Sequence, residues 1–413
     1  MSSTFAEHQL PNGLRVICEV MPQVRSAAVA CLACTGARHE TPPVHGVSHF
    51  LEHMCFKGTP RRTWHDINVR FDELGSIYNA FTGKQHTVYY GWVPRDRIAA
   101  QFELLADMMR PALPPADFET ERQVILEEIA MSDDNFDRHA WNFLHKEVFG
   151  DHPLGHEILG EKETIQNLPH AAMVDYHRQR YAANNMVILA AGALEPEELF
   201  AAVGRCCEQW QPSFDDQAPA AALPLPGVGV RKQLLPRFQQ QSLILVYPSV
   251  PQGHADEESV ESFTSLFGGS NSRCYWSIVQ KGICTSAGAA WVAYADCGIM
   301  ALYADGQPEQ CEQMLAALRE QACEAGAGGF TAEEVQRVKN RRRTQLALEA
   351  ESPRTRIMQM VDDLETFGRV RTTEARLAAV EQVSARTIAD YLCRYPITGE
   401  GLLLSIGPRN WPG

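Results

Sequence analysis

The chain has 413 residues, of which 45% are hydrophobic and 21% charged, as in an ordinary soluble globular protein. This length exceeds one ordinary hydrophobic core and predicts two domains or four smaller lobes. The formal net charge of −14 argues against nucleic acid as the main partner, because phosphate binding needs a clustered positive surface.

The beginning of the chain, MSSTFAEH, lacks the charged and apolar regions of a signal peptide. The sequence also lacks an apolar run of the ~18 residues that a membrane span needs. These absences predict a cytoplasmic protein that does not bind membranes. The twelve cysteines fit a reducing compartment if they stay reduced, and neither Cys31-x-x-Cys34 nor Cys206-Cys207 has a role that the sequence defines.

In the first half, a Pro-Asn-Gly turn at residues 11–13 introduces two strands, and an apolar helix and an alternating strand segment follow. Two amphipathic helices come next, and after further helices an apolar strand closes the half. The predicted elements are strands at 14–20 and 27–35, a helix at 47–56, a strand segment at 80–93, helices at 97–109 and 117–131, and a strand at 186–191.

Residues 211–230 are rich in Pro, Ala and Gly and lack a sustained helical or strand period, which is typical of a linker. The second half then repeats the order of elements of the first. Its predicted elements are a strand at 242–248, a helix at 258–267, strands within 287–304, helices at 308–325 and 331–348, and a strand at 401–406.

The repeated order predicts an α+β fold built by internal duplication. We expect two homologous domains, each with an antiparallel-rich sheet packed with helices. Residues 1–210 form the first, and residues 231–413 form a second domain without a metal site. The clearest basic cluster, Arg341-Arg342-Arg343 with Lys339, lies inside a predicted helix, and a solvated helix face is favoured over a phosphate site.

The strongest chemical signal lies in the helix predicted at 47–56. His49 and His53 are four residues apart, so a helix places both imidazoles on one face, as two ligands of a single metal ion require. Glu52 can reach water at such a metal without being a ligand itself. H-x-x-E-H is the inverse of the H-E-x-x-H zinc signature. Alone, it is also compatible with two histidines that merely flank a helical glutamate.

A catalytic zinc site needs a third protein ligand. Glu121 and Glu128 are seven residues apart in the helix predicted at 117–131, two turns along one face. Glu127 lies about 100° round the helix and should be more exposed. Because acidic residues on helices are usually solvated, the spacing alone assigns neither carboxylate to a metal.

Two further histidines lie near these motifs. His45 is four residues before His49, but Gly46 separates them and the helix is expected to begin after it, which disfavours His45 as a ligand. His86 alternates with apolar neighbours in a predicted strand and is expected to be structural or to face substrate.

Three motifs together resemble the pitrilysin/insulinase family of inverzincin zinc metallopeptidases. They are HGVSHFLEHMCFKGT at residues 45–59, NAFTGKQHTVYY at 79–90 and ERQVILEEI at 121–129, in this order and spacing. The resemblance extends over essentially the whole chain. It is nearest to the single-repeat bacterial members and the mitochondrial processing peptidase.

The resemblance implies one Zn²⁺ per chain with His49, His53 and Glu128 as ligands. It also implies Glu52 as the general base that activates water, and Glu121 as a supporting carboxylate beside a ligating histidine. The implied activity is hydrolysis of peptides or unfolded segments in a chamber formed by two homologous halves. A non-catalytic scaffold or assembly subunit of the same fold, and a zinc hydrolase of other substrates, are the alternatives.

A substrate site is implied by the same resemblance. Asn79, Ala80, Phe81 and Thr82 match the family's edge strand beside the metal, to which an extended peptide adds as a further strand. An ordinary edge strand is the alternative. Gly75-Ser76 stands where the family usually has two glycines, and we expect only a small geometric effect.

One feature of the family's peptidases is missing. They carry an arginine and, seven residues later, a tyrosine after a glycine-rich turn and a Ser-Arg pair, and these two groups hold the substrate. Here the turn is at 267–271 and the pair at 272–273, so the arginine position falls on Val279 and the tyrosine position on Thr285 or Ser286. We expect a heterodimer with a homologous subunit that lacks H-x-x-E-H and carries the Arg/Tyr pair. A homodimer or monomer with weaker substrate anchoring is the alternative.

Overall fold

Two β-sheets organise the residues that this computed structural model describes, 4–215 and 226–412. The first sheet contains β1 (Thr4–Gln9), β2 (Arg15–Val20), β3 (Ser26–Ala33), β4 (Ile77–Thr82), β5 (Thr87–Pro94) and β6 (Met186–Gly192). The second contains β7 (Gly229–Leu234), β8 (Gln241–Ser249), β9 (Ser286–Ala293), β10 (Gly298–Gly306) and β11 (Leu402–Gly407).

Fourteen α-helices accompany the strands in the described part of the chain. Those of the first half are α1 (Val47–Met54), α2 (Trp64–Leu74), α3 (Ile98–Met108), α4 (Pro115–Asp133), α5 (Phe136–Phe149), α6 (Lys162–Asn167), α7 (His170–Arg180) and α8 (Pro196–Cys207). Those of the second are α9 (Glu257–Gly268), α10 (Cys311–Gly326), α11 (Ala332–Glu349), α12 (Pro353–Phe367), α13 (Thr373–Gln382) and α14 (Ala385–Arg394). None of these helices has the length and apolarity needed to cross a membrane.

The two sheets share one topology. The strand order of the first sheet is β1-β2-β6-β3-β5-β4, and that of the second is β7-β11-β8-β10-β9. The two orders correspond strand by strand once β1, the additional edge strand of the first sheet, is left out. In each, the described strands form one parallel pair, β2 with β6 and β7 with β11, and the remaining pairs are antiparallel. The predicted α+β fold with duplicated, antiparallel-rich sheets is therefore confirmed.

The chain divides into two compact units that are not continuous in sequence. Unit 1 comprises the described residues of Met1–Asn135, His156–Ala221 and Glu349–Leu364. Unit 2 comprises those of Phe136–Gly155, Ala222–Leu348 and Glu365–Gly413. The boundaries predicted from sequence, 1–210 and 231–413, differ because α5 lies in unit 2 and most of α12 in unit 1. Helical periodicity shows that a helix has an apolar face but not which sheet that face covers.

The predicted linker and strand segments also differ in detail. Within the linker at 211–230, residues 216–225 lie outside the described residues, and Gly229 already begins β7. The single strand segment predicted at 80–93 is a hairpin of two antiparallel strands, β4 and β5. Helix α2 was missed, although Thr63 and Asp66 form a capping box that marks its beginning.

A buried ion pair ties α12 to the sheet of unit 1. The guanidinium of Arg356 donates two hydrogen bonds to Oε2 of Glu19 on β2. One comes from Nε (2.8 Å) and the other from Nη2 (2.5 Å). Both side chains are almost fully buried. Removing one member of such a pair typically costs about 3–5 kcal/mol, so each group depends on the other. A helix from the second half of the sequence thereby becomes part of the first unit.

The core of unit 1 holds α1 beneath the sheet. Phe50, Leu51 and Met54 are fully buried, which is why this short helix is apolar on the face opposite its histidines. The ring of Phe50 stacks on Phe118 of α4, with centroids 4.7 Å apart. This contact sets α1 against α4, the helix that carries Glu121 and Glu128.

Candidate metal centre

Helix α1 begins at a glycine that other residues cannot easily replace. Gly46 has a φ of 91°, in the left-handed region, and a Cβ there would lie 2.6 Å from both the Leu159 carbonyl oxygen and Cδ1 of Ile165. The buried carboxylate of Glu40 accepts hydrogen bonds from the backbone N–H groups of Gly46 (2.7 Å) and Ser48 (2.8 Å). It thus satisfies two of the donors that a helix leaves unpaired at its N-terminus.

Buried hydroxyl groups extend this anchor into the core. Oγ of Ser48 lies 2.7 Å from Oη of Tyr176, which lies 2.9 Å from Oγ1 of Thr35. Burial raises the pKa of Glu40 to about 7, although the hydrogen bonds from Ser48 and Gly46 oppose that rise. The first turn of α1 is therefore fixed by contacts on both its backbone and its side chains.

Three predicted ligands meet in this unit. Oε2 of Glu128 lies 3.8 Å from Nε2 of His49 and 3.7 Å from Nε2 of His53. Within the ranges 4–215 and 226–412, this trio forms the one group of at least three His, Cys, Asp or Glu residues with donor atoms within 4.8 Å of one another. Glu127, on the same helix, is exposed.

The donor set fits zinc. Two imidazole nitrogens and one carboxylate oxygen are ligands typical of catalytic zinc, and ligand atoms of a tetrahedral site lie roughly 3.4 Å apart. Nδ1 of His53 lies 2.8 Å from Oε1 of Glu121. Because a carboxylate only accepts, Nδ1 carries the proton, and the lone pair of Nε2 remains on the side of Glu128.

Burial and neighbouring charges shift the protonation of this centre. Burial raises the pKa of Glu52. The hydrogen bond from Thr82 and the charge of His53 partly oppose this rise. Burial alone would lower the pKa of His53, but the hydrogen bond and charge of Glu121, with Glu52 and Glu128, outweigh it and raise that pKa. A glutamate with a raised pKa is suited to accept a proton and return it near neutral pH.

The predicted base contacts the predicted substrate strand. Oγ1 of Thr82, the last residue of β4, donates a hydrogen bond of 2.6 Å to Oε2 of Glu52. Since β4 pairs with β5 on one side and with no other described strand, its second edge is open. The structure thus places Glu52 at the end of an open strand edge.

The other residues of the predicted strand site have different surroundings. Oδ1 of Asn79 accepts a hydrogen bond of 2.9 Å from the backbone N–H of Ala80. Phe81 is partly exposed, and its ring contacts His86 edge-on at a centroid distance of 5.7 Å. A peptide that adds to β4 would meet an apolar ring at Phe81.

His45 takes no part in the trio. Its ring stacks on that of His156, with centroids 3.6 Å apart, and it precedes the N-cap residue Gly46. Among the described residues, the cysteines singled out in the sequence, Cys31 with Cys34 and Cys206 with Cys207, form no disulfide bond.

One residue of the centre was not predicted. Nζ of Lys57 lies 2.5 Å from Oε2 of Glu121, whose other oxygen faces His53. Burial alone would raise the pKa of Glu121, but the hydrogen bonds with His53 and Lys57 lower it, so the carboxylate stays ionised. Lys57 lies within the motif at 45–59, but only the folded structure shows that it reaches α4.

Comparisons with known proteins agree with this geometry. Residues 15–162 match the family described as insulinase (peptidase family M16), and residues 167–342 match the peptidase M16 inactive domain. An uncharacterized zinc protease of Mycobacterium tuberculosis is 31% identical over 92% of this chain and 88% of its own length. The uncharacterized zinc protease YmxG of Bacillus subtilis is 28% identical over 97% of both chains.

A protease from Helicobacter pylori has the same fold. Its crystal structure superposes with a TM-score of 0.90 and 19% identity, over 98% of this chain and 99% of that one. The chain therefore belongs to the M16 family, the insulinase-type peptidases, and is a zinc peptidase-like protein with two M16-type domains.

The register of α4 predicts which glutamate binds metal. Mutation of a residue that only hydrogen-bonds to a metal ligand typically weakens metal binding by roughly 10–100-fold. Glu128→Gln should weaken zinc binding by more than this, because it removes the charge of a ligand itself. Glu127→Gln, the matched control on the exposed face, should leave it unchanged. Zinc content and chelator competition measure both, and equal effects of the two changes would show that the register is wrong.

The contact of Lys57 predicts coupling between two residues. Lys57→Met should weaken zinc binding several-fold, and Glu121→Gln by roughly 10–100-fold, because each loosens the orientation of His53. If Lys57 acts through Glu121, its substitution should add nothing in the Glu121→Gln background. Lys57→Arg should restore most of the affinity, whereas additive losses would contradict this pathway.

Proposed function

We propose that this chain is a zinc-dependent endopeptidase subunit that cleaves peptides or unfolded segments. The observation that carries the proposal is the meeting of His49, His53 and Glu128, with Glu52 beside them and hydrogen-bonded to Thr82 at the end of β4. A metal-binding trio, a proton acceptor and an open strand edge are the parts that peptide hydrolysis at a metal requires.

His49, His53 and Glu128 would hold the zinc ion, one per chain. Zinc in such a site supplies a Lewis acid that acidifies water and polarises a carbonyl group. Glu52 accepts a proton from the attacking water and delivers it to the leaving amine. Its hydrogen bond with Thr82 orients the carboxylate for this transfer.

The substrate would lie along β4 in an extended conformation. Backbone hydrogen bonds at an open edge tolerate many sequences, because they involve only the main chain of the peptide. Asn79 would release the N–H group of Ala80 that its side chain now binds. Phe81 would offer an apolar contact to one peptide side chain.

The role of Glu52 predicts a clean separation of binding from turnover. Glu52→Gln keeps the side-chain volume and removes the proton acceptor, so zinc should stay bound while peptide cleavage is abolished. Glu127→Gln serves as a control that keeps both properties. Cleavage of an unstructured peptide at the normal rate by the Glu52→Gln variant, free of wild-type protein, would remove Glu52 from the mechanism.

We further propose a heterodimer with a homologous subunit. Val279, at the position of the family's arginine, packs against the core of unit 2 and has no group that can bind a carbonyl oxygen. Oγ1 of Thr285 donates to the carbonyl oxygen of Asp305 (2.8 Å). Tyr275 lies outside the sequence position of the family's tyrosine, and its hydroxyl oxygen accepts a hydrogen bond of 2.6 Å from Nε2 of Gln280. The absence of an Arg/Tyr pair at these positions supports a partner that supplies it.

The heterodimer predicts an activity gap. Purified alone, the chain should bind zinc but cleave unstructured peptides roughly 10²–10³-fold more slowly than with the partner, since one missing transition-state donor costs about that much. The partner to test is a homologous chain without H-x-x-E-H, encoded beside this one. A partner variant without its arginine is the control. Full turnover by the isolated chain, unchanged by the partner, would contradict the heterodimer but not the zinc peptidase.

A further inference from the structure

The place in unit 2 that corresponds to the metal centre of unit 1 is a cavity. Helix α9 follows β8 as α1 follows β3, α11 corresponds to α4, and β9 is the edge strand that corresponds to β4. These three elements line a cavity of about 420 Å³. That volume is at the lower end of the range for small-molecule sites, about 300–1,000 Å³. Its described lining includes no histidine or cysteine, so it is not a second copy of the metal centre.

Both signs of charge line this cavity. Glu258 and Glu261 come from α9, and Arg341 and Arg342 come from α11. The indole N–H of Trp291 donates to the carbonyl oxygen of Val250 (2.9 Å), so the polar atom of the ring is already satisfied. The rest of that ring is an apolar part of the lining.

Two arginines of the basic run line this cavity, Arg341 with an exposed side chain and Arg342 with a half-buried one. Nε of Arg343 donates to Oε1 of Glu381, and Lys339 also pairs with Glu381. Arg341 and Arg342 instead line the cavity. The sequence pattern could not separate these four residues, because neighbouring positions on a helix face different surroundings.

The charges of the cavity do not fully satisfy one another. Nη2 of Arg342 lies 3.2 Å from Oε2 of Glu261, but its Nε is buried without an acceptor among the described residues. Within the same part of the chain, half-buried Glu258 forms neither a hydrogen bond nor an ion pair. Burial and the charge of Glu261 raise its pKa to about 7, although the charges of Arg342 and Arg371 oppose that rise. Buried polar groups are normally paired, so each of these two groups can gain from a ligand of opposite charge.

We propose that this cavity is a second ligand site, which takes a free α-amino acid with an apolar side chain. The ammonium group pairs with Glu258, and the carboxylate accepts from Nε of Arg342 and from Arg341. The apolar side chain packs on Trp291. An anion alone would leave Glu258 unpaired, and a cation alone would leave Nε of Arg342 without an acceptor, so the combination selects a zwitterion.

The site is independent of the proposed peptidase activity, because all its residues belong to unit 2. Calorimetry of the full chain with phenylalanine and leucine should show saturable binding. N-acetylphenylalanine lacks the ammonium charge and phenylalaninamide lacks the carboxylate, so each should bind at least about ten-fold more weakly, as expected when a charged hydrogen bond is lost.

Variants locate the site. Glu258→Gln and Arg342→Gln should each weaken phenylalanine binding at least about ten-fold. Arg343→Gln is the matched control, since this neighbour pairs with Glu381. A His49→Ala/His53→Ala double variant should bind phenylalanine normally. Circular dichroism and thermal unfolding establish whether each variant is folded. If Arg342→Gln does not fold, the result with Glu258→Gln alone tests whether phenylalanine binds in this cavity.

Three outcomes would overturn the proposal. The first is the absence of saturable binding of phenylalanine and of leucine up to about 10 mM. Binding with a Kd of about 1 mM or lower would be saturated at that concentration. The second is equal affinity for phenylalanine and one of its blocked forms, which would show that a single charge is recognised. The third is binding that is lost in the double-histidine variant and kept in Glu258→Gln, which would place the ligand at the metal centre.

Discussion

The candidate metal centre depends on the contacts that the buried carboxylate of Glu40 makes with the first turn of α1. A helix of eight residues is too short to be stable by itself, so tertiary contacts must hold it in place. Glu40 binds its first turn, where the helix dipole favours a negative charge, and Phe50 holds its buried face against α4. His49 and His53 then project from a fixed backbone, which orients both imidazoles toward Glu128.

The sequence predicted the parts of the centre that local geometry controls. The spacing of His49 and His53 needs only a helix, and the turn of α4 predicts that Glu127 is more exposed than Glu128. The assignment of Glu128 as a ligand came from the family resemblance. The contacts of Glu52 with Thr82 and of Lys57 with Glu121 join different elements. Such contacts depend on how helices pack on the sheet, and no periodicity in the sequence encodes that distance.

The membership of helices in the two units was also beyond the sequence. Helices α5 and α12 have apolar faces that either sheet could cover, so the midpoint of the chain appeared to be the natural boundary. The duplication itself was predictable because the order of strands and helices repeats. The repeat preserves the order of the elements, but α9 carries Glu258 and Glu261, whereas the corresponding helix α1 carries His49 and His53. One scaffold thus holds two different sets of polar side chains.

The ion pair of Glu19 and Arg356 has a consequence for the history of this duplicated chain. An ancestral single-unit protein had to supply every helix of its own core. Here unit 1 includes Glu349–Leu364, a segment that follows four of the five described strands of the second sheet in sequence. A gene split between the two sheets would leave the carboxylate of Glu19 buried without a counter-charge. The two halves have therefore become dependent on each other, because each unit contains a segment from the other half of the sequence.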